Sequence, residues 1–397
     1  MRDALARSAV STAMSRGIRC GRIDVIEGGR RRGFGPAGAD LHATVTVRDP
    51  AAWRGPLRGS VGLGETYVDG LWETDDLVSL IRIAARELGG LNGLHGTVAR
   101  SRGLLHRARR LVPENTRNGS RRNISAHYDL GNDLFAAFLD ERMMYSCAYF
   151  PRPEASLEEA QVAKLERICE QLRLGPDNHL LEIGTGWGGM AIHAARRHGC
   201  RVTTTTISRE QHEMATRRVR EAGLDGRVTV LLEDYRDLRG SYDRLVSVEM
   251  IEAVGWQYFD DFFQRCDELL TADGLMLLQA ITIDDRIYEA EKGARSFANT
   301  HVFPGGCLPS KGLIADCLSR ATSMRQVWMD DITAHYPPTL AAWRERFNAT
   351  WERLRQAGGY DERFRRLWDF YLSSSEAGFR ERRIADVQAL FAKPGWR

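Results

Sequence analysis

The stretch Leu181-Glu182-Ile183-Gly184-Thr185-Gly186-Trp187-Gly188-Gly189 concentrates residue types that can hold a small molecule. Glycines at a strand-to-helix turn let a backbone approach a ligand with no Cβ in the way. The glycine spacing alone fits NAD, FAD or S-adenosylmethionine. Its context is narrower: Glu182 sits two residues ahead of the first glycine. That arrangement suits an amino-acid carboxylate and a ribose better than a pyrophosphate. A second strand end offers Thr206-Ile207-Ser208 and Gln211, where a dinucleotide-binding domain normally carries an acid. A third offers Asp234, placed to accept from an adenine amino group, and Tyr235, placed to pack on its ring. Features on three successive strand ends predict S-adenosylmethionine as the cofactor.

These positions need a scaffold of alternating elements. From Asn123 onward, amphipathic segments (LEEAQVAKLERICEQLRL, GGMAIHAARRHG, REQHEMATRRVREAG, FDDFFQRCDELL) alternate with strand-like runs (HLLEIG, RVTTTTIS, RVTVLLED, YDRLVSVEM, GLMLLQAITI). Strands separated by helices of this length predict an α/β fold: a Rossmann-like, class I methyltransferase domain with a mostly parallel sheet. Ahead of it, GRIDVIEGG and LHATVTVRD alternate as strands around a Gly/Arg-rich turn region. A helix after Asp75-Asp76 follows, with either aspartate as its cap. The expected organisation is a small α+β lipid- or membrane-associated domain over 1–95, an Arg-rich linker over 96–122, and the catalytic domain over 123–397.

The apolar fraction, 43%, is that of a water-soluble globular chain. No apolar run approaches the roughly 18 residues of a membrane span, and the first residues read as an amphipathic helix rather than a secretory signal. Seven scattered cysteines without a CxxC pair argue against disulfides and a structural zinc site, and for a reducing cytoplasm. Net charge is only +3, yet Arg100, Arg102, Arg107, Arg109, Arg110, Arg117, Arg121 and Arg122 face a single acid, Glu114. Such a run is either a solvated linker or an attractor of anionic lipid or nucleic acid.

Four longer motifs stand in order: RRNISAHYDLGNDLFAAFLDERMMYSCAYF (121–150), VSVEMIEAVG (246–255), HVFPGGCLPS (301–310) and HYPPTLAAWRERF (335–347). Together they resemble the cyclopropane-fatty-acyl-phospholipid synthases and the related mycolic-acid cyclopropane synthases and fatty-acid methyltransferases. The resemblance implies methyl transfer to the cis double bond of an unsaturated phospholipid acyl chain, then deprotonation by bound bicarbonate and ring closure. It implies a bicarbonate pocket of Cys147 and Ile281, acting through their backbones, with Glu252, Tyr336 and Gln279. Gln279 stands where many members have histidine, and an amide cannot carry charge or shuttle a proton. Tyr145 and Ser146 are expected to close over the methionine end of the cofactor, with His127 and Tyr128 in the same lid. Phe303, Pro304, Gly305 and Gly306 are expected along the acyl channel, or as a rigid turn.

Singly, each residue has a plainer reading: Cys147 as a small buried hydrophobe, Glu252 as a helix-start acid, Tyr336 as a turn aromatic. The joint match favours the site. A second outcome uses the same first step but ends in a 10-methylene acyl chain, which a separate reductase would convert to a methyl branch. A third, nucleic-acid methylation, lacks any visible base-stacking motif. Expected partners are therefore the phospholipid and an anionic membrane surface rather than nucleic acid. The protein should lie in the cytoplasm, peripheral on the inner face of the cell membrane, and the resemblance implies a homodimer.

Overall fold

The computed structural model describes residues 1–91 and 131–397; the arginine-rich segment, His127 and Tyr128 lie outside them. The described chain forms two compact units.

The first contains residues 1–91, Ala294–Val302 and Trp343–Arg383. Its sheet has the order β2-β1-β3-β4, with β1 Arg22–Glu27, β2 Arg30–Phe34, β3 His42–Val47 and β4 Trp72–Thr74. β1 and β3 are parallel and the other pairs antiparallel. The Gly/Arg-rich stretch expected to be a turn region supplies β2. Gly28 and Gly29 both have positive φ (56° and 77°), the conformation a two-residue hairpin turn demands, so the arginines after them pair as a strand. Helix Arg2–Gly17 forms, but of the amphipathic helix expected it buries only Ala6, Val10 and Ser11. Asp76 caps the helix Leu77–Leu91 by accepting from Ser79 N (2.9 Å), while Asp75 accepts from Thr44 N (2.7 Å).

The helix Glu362–Arg380 belongs to this unit, not to the catalytic domain expected over 123–397. Its packing explains why. The Phe370 ring packs at a tilt against Tyr67 (5.8 Å) and Phe297 (4.5 Å). Arg366 is buried, donates to Tyr67 O (2.6 Å) and Trp72 O (2.7 Å), and lies 4.2 Å over the Tyr67 ring.

The second unit contains residues 131–293, Phe303–Ala342 and Ile384–Arg397. Its seven-stranded sheet has the order β10-β11-β9-β8-β5-β6-β7. The strands are β5 His179–Ile183, β6 Arg201–Thr206, β7 Val228–Leu232, β8 Tyr242–Val248, β9 Leu270–Ile283, β10 Arg325–Asp331 and β11 Ile384–Ala392. β9 to β7 are parallel; β11 runs antiparallel to β9 and to β10. The five parallel strands are those expected from the apolar runs. Helix Leu157–Gln171 starts with a capping box of Ser156 and Glu159, and helix Phe259–Leu269 buries Phe259, Phe262, Phe263, Cys266 and Leu269. From β5 the chain proceeds outward through β6 and β7 on one side and returns through β8 and β9 on the other. That reversal opens a crevice at the carboxyl ends of β5 and β8, where open α/β sheets bind ligands.

Candidate active site

Gly184, Gly186 and Gly188 carry φ of 105°, 52° and 83°, so the loop after β5 takes a course closed to other residues. A Cβ on Gly186 would project into open space, leaving room for a ligand to approach the backbone. Gly184 and Thr185 N both donate to Thr205 O (3.1 and 3.0 Å), tying the loop to β6. Thr206 Oγ1 donates to Gln211 Oε1 (2.8 Å), which orients the amide with Nε2 as its donor end; Ile207 follows, half-buried. This loop fits S-adenosylmethionine. Three expected cofactor contacts are engaged within the protein. Glu182 is buried and accepts from Thr204 Oγ1 (2.6 Å), and burial pushes its carboxyl up to about 8. Asp234 is held by the Arg236 guanidinium (2.6 and 2.8 Å), and Tyr235 packs edge-on to Phe262 at 5.5 Å.

Beside that loop, across β8, lies a cluster of carboxyl groups. Met250 is the side chain a Cβ on Gly184 would meet (3.2 Å), so residue 249 adjoins the cofactor turn. Glu249 has φ 48°, a left-handed conformation uncommon for glutamate, fixed by its N–H donating to Gln279 O (2.8 Å). Its carboxylate collects three donors: Cys147 N (2.8 Å) and Gln279 Nε2 (2.8 Å) on Oε1, and the Tyr336 hydroxyl (2.7 Å) on Oε2. Burial pushes the Glu249 carboxyl above its usual range. The Tyr336, Cys147 and Gln279 hydrogen bonds and the charge of buried Lys164 work against that rise.

Asp386, on β11 opposite Ile281, is fully buried and receives Gln279 Nε2 at 3.1 Å. Burial, then the neighbouring Glu249 and Glu252 charges, push it far above the ordinary aspartate range. Glu252 accepts from Ile281 N (2.5 Å); burial, then the Glu249 charge, brings it up to about 8. Glu249 and Glu252 remain only partly buried by surface, yet burial dominates both shifts.

Cys147, Glu252, Gln279, Ile281 and Tyr336 thus converge as expected, but around a protein carboxylate. Cys147 N, Tyr336 Oη and the Gln279 amide all serve Glu249, and Ile281 N serves Glu252. What remains unpaired in the cluster is two buried oxygens, Glu252 Oε2 and Asp386 Oδ1. A free anion needs several donors to offset its desolvation, so this set does not fit bicarbonate.

The orientation of Gln279 is itself determined. Arg167 Nε donates to Gln388 Oε1 (2.8 Å), so Gln388 Nε2 donates to Gln279 Oε1 (3.1 Å), which leaves Gln279 Nε2 aimed at Glu249. Glu249, Asp386, Gln388 and Lys164 were not among the expected site residues. Glu249 lies inside the quoted VSVEMIEAVG motif, three residues before Glu252, and an acid directly after a central parallel strand was the available signal. Lys164 is buried within helix Leu157–Gln171 and donates to Ser146 Oγ (2.7 Å).

Tyr145 joins an aromatic group: Phe135 at 5.4 Å, Phe138 at 6.0 Å and Phe303 stacked at 6.3 Å. The Phe303-Pro304-Gly305-Gly306 turn is closed by Gly306 N donating to Phe303 O (2.9 Å), and Cys307 N donates to Glu252 O (2.8 Å). The expected channel residues therefore abut both Tyr145 and the carboxyl cluster. Cys20 is exposed; the other six cysteines are buried. Cys169, His193 and His198 lie together; His193 Nε2 hydrogen-bonds Glu166 (3.0 Å), and His198 Nε2 lies 3.1 Å from the other oxygen of the same carboxylate.

Comparison with known proteins agrees with this geometry. Residues 115–389 match the family Mycolic acid cyclopropane synthetase. The chain is 40% identical over 341 residues to the tuberculostearic acid methyltransferase UfaA1 of Mycobacterium tuberculosis, covering 84% of this chain and 78% of that one. It is also 40% identical over 354 residues to the cyclopropane-fatty-acyl-phospholipid synthase of Escherichia coli, covering 88% of each. The crystal structure of mycolic acid cyclopropane synthase CmaA1 with SAH and CTAB superposes with a TM-score of 0.64 at 31% identity, over 69% of this chain and 98% of that one. Glycine turn, switch-point crevice and buried carboxyl cluster are therefore those of an S-adenosylmethionine-dependent methyltransferase of the cyclopropane-fatty-acyl-phospholipid synthase type, and the chain belongs to the mycolic acid cyclopropane synthetase family.

Proposed function

We propose that the protein transfers the methyl carbon of S-adenosylmethionine to the cis double bond of an unsaturated phospholipid acyl chain and closes a cyclopropane ring. The bound cofactor supplies an electrophilic methyl group on a sulfonium. The observation that carries the reading is the carboxyl cluster around Glu249 adjoining the glycine turn, with Tyr145 and Phe303 beside it. An alkene attacking a sulfonium methyl develops a carbocation that water would trap, so the reacting centre must be apolar and enclosed apart from one proton acceptor. Phe135, Phe138, Tyr145 and Phe303 supply apolar walls. The bicarbonate expected as acceptor is not part of this proposal, because the donors it would need serve Glu249 and Glu252.

A second reading, ending in a 10-methylene acyl chain, is favoured by the 40% identity to a tuberculostearic acid methyltransferase. It differs only in a hydride shift before proton loss. No helix among the described residues is long and apolar enough to cross a membrane. Since the acyl substrate resides in a bilayer, we propose peripheral, reversible docking.

The test is incubation with methyl-labelled cofactor and vesicles of defined cis-unsaturated phospholipid, with proton NMR of the products. Ring protons support the first reading and exomethylene protons the second. Label confined to non-lipid acceptors would reject both.

A further inference from the structure

We infer that Glu249 is the built-in general base of the reaction, that Asp386 holds the proton of a Glu249–Asp386 pair, and that turnover requires no bicarbonate. The inference rests on the proposed alkene methylation and names the acceptor that chemistry needs.

Geometry carries it. Three donors of different origin converge on one carboxylate, from the segment at Cys147, from β9 and from the start of helix Tyr336–Ala357. Donors to both oxygens favour the charged form. Asp386 receives one amide contact, on Oδ2, and its buried Oδ1 has no hydrogen-bond partner, so it is the member that keeps a proton. Two adjoining buried carboxyls cannot both ionise, and they titrate as a pair. The left-handed backbone at Glu249 (φ 48°) and the Arg167–Gln388–Gln279 relay fix the carboxylate in place. Such strain persists only where surroundings over-determine it, and it clusters at working sites.

The step balances as follows. The alkene π pair forms a C–C bond to the transferred methyl as the S–C bond breaks, releasing S-adenosylhomocysteine and leaving a carbocation on the acyl chain. Glu249 removes a proton from the new methyl group. The freed C–H pair closes the ring, or forms the methylene double bond after a hydride shift. Glu249 is then a neutral acid, and its proton passes to water before the next turnover. Overall, the cation of the cofactor and the alkene give neutral products and one proton.

The experiment compares wild type, Glu249→Gln and Glu249→Ala on cis-unsaturated phospholipid vesicles, in buffer stripped of carbon dioxide and in the same buffer with added bicarbonate. Binding of S-adenosylhomocysteine by calorimetry reports folding. The expected wild-type rate is the same in both buffers. Glu249→Gln should bind S-adenosylhomocysteine as wild type does but lose roughly 10²–10⁴-fold in kcat, the usual worth of a positioned base. Glu249→Ala opens the place of the carboxylate, so bicarbonate should restore part of its rate. Carbon-13 NMR should show labelled bicarbonate binding to Glu249→Ala and not to wild type. A wild-type rate that falls on stripping and returns with bicarbonate overturns the inference while leaving the alkene methylation standing. So does Glu249→Gln turning over within threefold of wild type. No transfer to lipid in either buffer overturns the inference and the proposed function together.

Discussion

Replacing Gln388 with leucine isolates the relay that aims Gln279. Gln388 lies on β11, with β9 and β8 between it and β5, so the substitution leaves the glycine turn intact. Leucine is close to glutamine in volume and removes only the amide. Gln279 Oε1 then loses its donor (3.1 Å), and the amide is held towards Glu249 only by its own Nε2 contacts. A hydrogen bond to a charged acceptor contributes about 1.5–3 kcal/mol, and about 1.4 kcal/mol is tenfold in rate. If the Gln279 contact matters in the transition state, Gln388→Leu should lower kcat roughly 10- to 150-fold with the KM for S-adenosylmethionine unchanged. Arg167→Met should cost less, since Gln388 keeps its amide. The assay is initial-rate transfer of labelled methyl to cis-unsaturated phospholipid, with thermal melting to confirm the fold. A folded Gln388→Leu enzyme whose kcat lies within twofold of wild type would refute the reasoning.

Three further outcomes are expected. Gly184→Ala forces φ 105° on a residue with a side chain and sets a methyl 3.2 Å from Met250, so calorimetry should show S-adenosylhomocysteine binding weakened at least about tenfold. Glu182 keeps its proton up to about pH 8 in the fold against 4.5 when unperturbed, so its stabilisation is whole below pH 4.5 and fades as pH rises to 8. Glu182→Gln should therefore show a flatter fall in melting temperature between pH 5 and 8 than wild type, by about 1.4 kcal/mol per pH unit at most. Arg366→Met strands the Tyr67 and Trp72 carbonyls that the guanidinium satisfies (2.6 and 2.7 Å), and urea unfolding should show a loss of about 2–6 kcal/mol at about 1–3 per buried acceptor.

The parallel strands and the glycine turn were legible because period and composition are local signals. Runs such as HLLEI and GLMLLQAITI are buried strands bounded by turn residues, and the structure has them where the pattern puts them. β11 was not legible. Its run IADVQALFA is interrupted by Asp386 and Gln388, polar residues whose burial is repaid only through partners far away in sequence: Gln279, Glu249 and Arg167. The same holds for Arg366, a charged residue whose burial against Tyr67 and Trp72 no local pattern marks. Resemblance named Cys147, Gln279, Ile281 and Tyr336 as one group, and the structure has them around one carboxylate cluster. It could not reveal that Glu249 occupies their centre, because that depends on a positive φ and on three donors meeting in space.

The cysteine distribution has a practical consequence. Cys20, in the first unit, is exposed while the remaining six thiols are buried, and burial raises those of Cys147, Cys169, Cys200, Cys266, Cys307 and Cys317. Maleimide dyes should therefore modify the native enzyme at one position with no engineering. A fluorophore there, paired with an acceptor dye in liposomes, would report docking in real time on an otherwise unaltered catalyst.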